Sequence, residues 1–287
     1  MSSVFLKQAI TVKNAIALGS KTLRNSDSNR LDAEIILGHV LNISRNELYC
    51  SLEENLDSET RNLYENLILR RKIGTPVAYL TGTAYFWSLE FLVTEDVLVP
   101  RPESELLVEN AIRYIKRCRE FTILDLGTGS GAIAGAIASE CPETCILAVD
   151  ANEKAAKLAQ TNFDKLNLEN INCVVSDWNS AIRESTTSLI VANPPYVAEN
   201  EAHLLDKEVW MEPKTSIFAK DKGLADIKTI IRESYQSLED NGRLLIEHGY
   251  RQGEDVRNCF IREGFSSVIT LKDHSLHDRV TLGVKAS

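Results

Sequence analysis

Apolar residues recur at helical spacing through the first quarter of the chain: Ala9, Ile10, Ala15, Ile16 and Leu18, then Leu31, Ile35, Ile36, Val40 and Leu41, then Leu63, Leu67, Ile68 and Leu69. No strand-like alternation interrupts them, so residues 1–75 are expected to form a small helical bundle. Asp32 and Asn46 stand near plausible helix starts, and Gly74-Thr75-Pro76 ends the last helix. The pattern then changes. Between residues 78 and 98 it breaks into short extended runs at 86–91 and 93–99, which predict a hairpin linker over 76–100. Residues 101–287 alternate short apolar runs with amphipathic or Ala-rich stretches, as a doubly wound α/β domain does. Strands are predicted at 121–124, 145–149, 172–175, 189–192 and 243–247, and helices at 132–139, 151–160 and 253–263. Two further runs, 267–271 and 280–284, look antiparallel.

Composition narrows this picture. At 287 residues the chain exceeds one typical domain. No apolar run approaches the roughly 20 residues of a membrane span, and the first 30 residues lack a signal-peptide core. A cytoplasmic protein without membrane contact is expected, and most simply a monomer. Lys7, Lys13 and Lys21 fall among helical apolar positions, which fits a first domain helix better than a transit segment. The six cysteines at 50, 118, 141, 145, 173 and 259 have no metal-ligand spacing and read as structural thiols of a reducing compartment. Residues 1–75 carry 10 basic and 9 acidic side chains, against 22 and 32 in the remainder. An acidic α/β domain is a poor partner for a phosphate backbone, so direct nucleic-acid binding is not expected. Arg70, Arg71 and Lys72 read as a solvated helix end, or else as a patch that meets an acidic or RNA surface.

The candidate chemistry sits at strand ends. Asn193, Pro194, Pro195 and Tyr196 follow the apolar run Leu189, Ile190, Val191, Ala192, where an open α/β sheet places its active site. An Asn carbonyl oxygen accepts an N–H, Pro194 offers a main-chain carbonyl, Pro195 stiffens the turn and Tyr196 supplies a flat face. Such a set suits a planar amino group held by its two hydrogens, although Asn-Pro-Pro also serves as a plain stiff turn. Upstream, a strand ends in Asp125, Leu126, Gly127, Thr128, Gly129, Ser130, Gly131 before an Ala-rich helix. That is a nucleotide-binding arrangement, but its spacing differs from the pyrophosphate fingerprint. It fits a close backbone approach to the zwitterionic tail of S-adenosylmethionine, with Asp125 orienting an ammonium or a water. Asp150 stands about 20 residues further on, where a carboxylate can take both ribose hydroxyls or else cap a helix. Asp177 can meet an adenine amino group, and Trp178 can cover a ring face or be ordinary core.

With these motifs the chain resembles the class I S-adenosylmethionine-dependent methyltransferases, and among them the PrmC/HemK protein glutamine methyltransferases that modify peptide chain release factors. The resemblance spans essentially the whole chain. It includes residues 76–82, 99–105 (Val-Pro-Arg-Pro-Glu-Ser-Glu), Glu212-Pro213, 247–250 (Glu-His-Gly-Tyr) and 277–280 (His-Asp-Arg-Val). Ser104 stands where the family usually has Thr, which keeps the hydroxyl, and Asn179 follows Trp178 where an aromatic is common. The resemblance implies a Rossmann-like, doubly wound seven-stranded sheet over residues 101–287 and an N-terminal bundle that recognises the substrate. It implies S-adenosylmethionine as methyl donor, S-adenosylhomocysteine as product, and class-1 release factors as partners through the glutamine of their Gly-Gly-Gln motif.

A carboxamide nitrogen gives its lone pair to the carbonyl and attacks carbon poorly. The expected remedy is positional: the Asn193 side-chain oxygen and the Pro194 carbonyl each accept one amide hydrogen while Tyr196 packs on the amide plane. His248 and His277 are expected to be structural. Arg101 belongs either to a linker that caps a helix or to a lid, paired with Glu212 or with substrate. The competing reading is an adenine or other nucleic-acid amino methyltransferase, which shares the tetrapeptide but calls for a basic recognition domain. A non-catalytic cofactor-binding module would call for a broken glycine loop or a lost Asn193, and both are intact.

Overall fold

Side-chain oxygens set the helix starts of the N-terminal region in the computed structural model, which describes residues 10–116, 122–180 and 182–287. Thr11 accepts the Asn14 N–H at the start of α1 (Val12–Thr22). Helix α2 (Asn29–Leu41) follows, and Ser44 with Glu47 forms a capping box on α3 (Arg45–Cys50). Asp57 accepts the Thr60 N–H at the start of α4 (Ser58–Lys72), and α5 (Val77–Thr81) ends at Gly82 in the left-handed region. Short strands β1 (Ile10–Thr11) and β2 (Asn55–Leu56) pair antiparallel beside these helices. The core is the apolar face of the helices, with Ala15, Ile36, Leu37, Leu48, Tyr64 and Ile68 buried.

Two ionic clusters lie in this unit. Glu34 is 1% exposed, and its carboxylate accepts from Arg30, Tyr49 and Arg45 at 2.6–3.2 Å. Burial pushes its pKa up, but those bonds outweigh burial and hold it below the usual range. Arg71 is not the solvated cation expected from the sequence: it is buried, bonds Asp32 Oδ2 at 2.7 Å and pairs with Glu208. By contact, Met1–Gly82 and Asp206–Met211 form one unit, and Thr83–Leu205 with Glu212–Ser287 form the other.

The second unit opens with a hairpin of β3 (Thr83–Phe86) and β4 (Leu89–Leu92). Trp87 and Ser88 both have positive φ, the twist that two-residue hairpin turns favour. The hairpin therefore turns inside the run 86–91 that the sequence suggested was one strand, and 93–99 carries no strand. A 3₁₀ turn, Pro102–Ser104, leads into α6 (Glu105–Ile115). Then follow β5 (Thr122–Leu126), α7 (Ala132–Glu140), β6 (Cys145–Asp150), α8 (Glu153–Lys165), β7 (Ile171–Val175) and β8 (Thr187–Ala192). The last elements are the single turn α9 (Lys220–Gly223), α10 (Ala225–Ser237), β9 (Leu238–Glu247), α11 (Gly253–Glu263), β10 (Phe265–Lys272) and β11 (Asp278–Lys285). Lys7, Ala9, Cys118 and Phe121 lie outside the described residues.

The sheet has seven strands in the order β10-β11-β9-β8-β5-β6-β7. β9, β8, β5, β6 and β7 run parallel, and β11 is antiparallel to both of its neighbours. Both faces are covered, so the central strands are apolar on both sides. Ile123, Leu189 and Val191 pack on one face with Phe91, Leu107 and Phe163, while Leu124, Ile190 and Leu244 pack on the other with Ile227 and Phe260. Strand order reverses between β5 and β8, whose last residues Leu126 and Ala192 lie in register. The glycine loop and the Asn-Pro-Pro-Tyr segment thus leave the sheet side by side at its carboxyl edge. Such a switch point is where doubly wound sheets place their ligands.

Candidate active site at the carboxyl edge of the sheet

A cleft of about 300 Å³ opens at that switch point. It is lined by Gly127, Thr128, Gly129 and Ser130 after β5, Asp150 at the end of β6, Asp177 and Trp178 after β7, and Asn193 and Pro195 after β8. Of the other candidates, Asp125, Gly131, Pro194 and Tyr196 lie off the lining. Arg101, anticipated as a linker or lid residue, lines it too, as do Asp96, Leu98, Pro100, Ser104 and Asp226, which were not singled out as site residues.

The glycine loop is fixed from three directions. Gly129, at φ +57°, donates its N–H to Asp150 Oδ2 at 2.9 Å, and a Cβ there would meet open space. Gly131, at φ +82°, has Phe163 where a side chain would go, with Cε1 only 2.6 Å from the Cβ position. Asn162 on α8 is fully buried. Its Nδ2 donates to the Ser130 and Leu92 carbonyls at 2.8 and 2.9 Å, and its Oδ1 accepts the Leu92 N–H at 2.7 Å. Nothing in the sequence pattern distinguished Asn162 from other polar positions of that helix.

The carboxylates differ in environment. Asp150 accepts the Gly129 and Asn152 N–H groups, yet burial outweighs these bonds and raises its pKa. Asp125 is 1% exposed; Oδ2 accepts the Thr128 hydroxyl at 2.6 Å, while Oδ1 is buried with no hydrogen-bond partner among the described residues. Desolvation pushes its pKa up to about 7. Asp125 therefore braces the loop from beneath rather than facing the cleft. Trp178 packs its indole over Gly127.

At the other end of the cleft, Asn193 Nδ2 donates to Ser104 Oγ at 3.0 Å, and Ser104 Oγ donates to Glu247 Oε2 at 2.6 Å. Asn193 Oδ1 accepts no hydrogen bond among the described residues. Burial pushes the Glu247 pKa up to about 7, opposed by Ser104, Arg279 and Tyr196. Tyr196 sits beside Glu247 and Arg279, where burial raises its own pKa. Glu212 is buried, accepts the Val99 N–H at 3.1 Å and pairs with Arg101, which holds this segment beside the cleft. His248 is buried, with Nδ1 on the Gly249 carbonyl and Nε2 on Thr281 Oγ1. Burial lowers its pKa, so it is neutral, donating from Nδ1 and accepting at Nε2. It does not reach the cleft.

These features fit S-adenosylmethionine. The open cradle over Gly129 admits a close ligand tail, Asp150 stands at the end of the strand next to the glycine loop, and Trp178 offers a ring face. Asp96, Asp150, Asp177 and Asp226 against Arg101 give the cleft an acidic balance that favours a cation.

Comparison with known proteins agrees with this architecture. Residues 14–82 match the PrmC N-terminal domain and residues 102–211 the methyltransferase small domain. The release factor glutamine methyltransferase of Escherichia coli K12 is 45% identical over 263 residues, covering 91% of this chain and 94% of that protein. The chain belongs to the release factor glutamine methyltransferase family. The family member of Vibrio cholerae is 40% identical over 278 residues, 96% of this chain and 97% of its own length. A solved methyltransferase from Pyrococcus furiosus, 18% identical, superposes with a TM-score of 0.51 over 78% of this chain and 98% of its own. The fold of this family member is the Rossmann-like class I methyltransferase sheet, with an N-terminal helical domain.

Proposed function

We propose that the protein transfers a methyl group from S-adenosylmethionine to the side-chain amide nitrogen of the glutamine in the Gly-Gly-Gln motif of class-1 peptide chain release factors. The observation that carries this reading is the Asn193 carboxamide, whose nitrogen is committed to Ser104 while its oxygen has no partner among the described residues. An unpaired, preorganised acceptor at a cleft wall is what a carboxamide nucleophile requires. The family membership supports the same substrate, since the curated relatives are named for it.

In this reading Asn193 Oδ1 and the Pro194 carbonyl each accept one hydrogen of the substrate amide, which raises electron density on its nitrogen and aims it along the transfer axis. Bound S-adenosylmethionine supplies an electrophilic methyl on a positively charged sulfonium, and S-adenosylhomocysteine is the product. The loop of Gly127, Thr128, Gly129 and Ser130 holds the amino-acid tail, Asp150 the ribose hydroxyls, and Asp177 with Trp178 the base. Asp125 and Gly131 keep that loop in shape. Tyr196, held beside Glu247 and Arg279, packs on the plane of the substrate amide. The N-terminal bundle selects the release factor, and the enzyme works in the cytoplasm as a monomer. An adenine methyltransferase would share the tetrapeptide, but net charge −9 and the acidic cleft oppose a polyanionic substrate.

The test is transfer of tritiated methyl to a purified release factor, beside its Gln→Ala variant and duplex DNA. Label on the wild-type factor alone is expected; label on DNA alone would replace this reading with the nucleic-acid one.

A further inference from the structure

A carboxamide is nearly symmetric in shape, so a pocket that only fits Asn193 leaves its oxygen and nitrogen interchangeable. Only the oxygen can accept the hydrogens of a substrate amide. With the amide reversed, the Asn193 NH₂ would meet the substrate NH₂, donor against donor. Something must therefore choose the rotamer.

We propose that Ser104 and Glu247 are positioning residues that set the hydrogen-bond polarity at Asn193 and so present its oxygen to the substrate amide. The inference rests on the glutamine methyltransferase reading and deepens it. Once Glu247 has lost its proton, above about pH 7, its carboxylate accepts only and takes the single Ser104 hydroxyl hydrogen at 2.6 Å. Ser104 Oγ is then left with lone pairs alone toward Asn193, and at 3.0 Å it accepts from Nδ2. Oδ1 turns to the cleft by elimination.

The fold makes this chain of bonds rigid. Glu247 is the last residue of β9, the neighbour of β8, with Ile246 in register with Ala192 just before Asn193. Ser104 closes the 3₁₀ turn that Pro102 begins. Both side chains are buried, at 1% and 3% exposure, so no water competes for the hydroxyl. The groups facing Glu247 are Arg279 from β11, Tyr196 after β8, and Glu103 beside Ser104; His248 next in the chain is neutral. Arg279 and Tyr196 favour the carboxylate, while burial and Glu103 oppose it. If Glu247 takes a proton it can donate to Ser104, whose own hydrogen is then free to point at Asn193 and favour the wrong rotamer. Turnover should fall on the acid side as that occurs.

The experiment compares kcat, the KM for release factor and the S-adenosylmethionine Kd of wild type, Ser104→Ala, Ser104→Thr and Glu247→Gln. Ser104→Ala is expected to lower kcat by about 30- to 100-fold, somewhat less than the roughly hundredfold or more of losing a preorganised contact outright, with cofactor Kd within about threefold. Ser104→Thr, which keeps the hydroxyl, restores kcat. The acid limb of the wild-type kcat profile is absent in Glu247→Gln. A kcat for Ser104→Ala near wild type, a Thr variant as impaired as Ala, or an unchanged acid limb in Glu247→Gln would each overturn the proposal. If Ser104→Ala does not fold, the Thr variant and the Glu247→Gln profile decide alone. Wild-type enzyme inactive on release factor would refute the underlying reading; active wild type with any overturning result above refutes only the relay.

Discussion

Asn162→Leu removes the three hydrogen bonds that tie α8 to the glycine loop and the hairpin while keeping a side chain of similar size. It leaves the Ser130 carbonyl and both Leu92 backbone groups without partners. A buried polar group left unsatisfied costs about 1–3 kcal/mol. The Leu92 pair is only partly buried and recovers some water, which puts the sum near the low end, and the added apolar contact offsets part of it. A net loss of about 3 kcal/mol follows, or about 6–12 °C in Tm for a unit of this size. Because Ser130 lines the cleft, affinity for S-adenosylmethionine should fall about tenfold as the loop loosens. Differential scanning calorimetry and titration calorimetry read the two effects. A Tm within about 2 °C of wild type, or an unchanged cofactor affinity, would refute the view that Asn162 holds the loop.

Gly131→Ala combines positive φ with a Cβ 2.6 Å from Phe163, so it should lower stability by about 2 kcal/mol or more in denaturant titrations. Gly129→Ala meets open space and should cost only about 1 kcal/mol. The share of stability that depends on Asp125 and Glu247 should fall as pH rises from about 4 to about 7. Asp125 and Glu247 hold protons up to about pH 7, whereas the unfolded chain releases them near 3.8 and 4.5. The native state thus binds more protons in that window, and each group contributes a slope of up to about 1.4 kcal/mol per pH unit. Asp125→Asn should flatten this slope and raise Tm at pH 8; an unchanged slope would contradict the burial argument.

Periodicity revealed most of the fold because the central strands are buried on both faces and therefore read as unbroken apolar runs. Helix 253–263 carries its own boundaries, since its amphipathic pattern ends at Gly264 in the left-handed region. The hairpin was misread because Trp87 and Ser88 at its turn are neither Gly nor Asn, so nothing local marked a positive-φ turn inside an apolar run. Arg71 read as solvated because its partner Glu208 is 137 residues away. Asp125 showed the same limit: its strand-end position was visible, but which way its side chain turns depends on Thr128. Ser104 and Glu247 carried a family-like signal in sequence, yet only their juxtaposition across 143 residues gives them a role.

The measurement that bears most directly on the account is single-turnover methylation of a release factor by Asn193→Ala, followed by mass spectrometry of the Gly-Gly-Gln peptide, beside the S-adenosylmethionine Kd. If Asn193 Oδ1 acts on the substrate amide, the methylated peptide forms about a hundredfold more slowly while the cofactor Kd stays within about threefold. A cofactor affinity that weakens in step with turnover, or a rate close to wild type, would contradict the assignment of Asn193 to the transfer step.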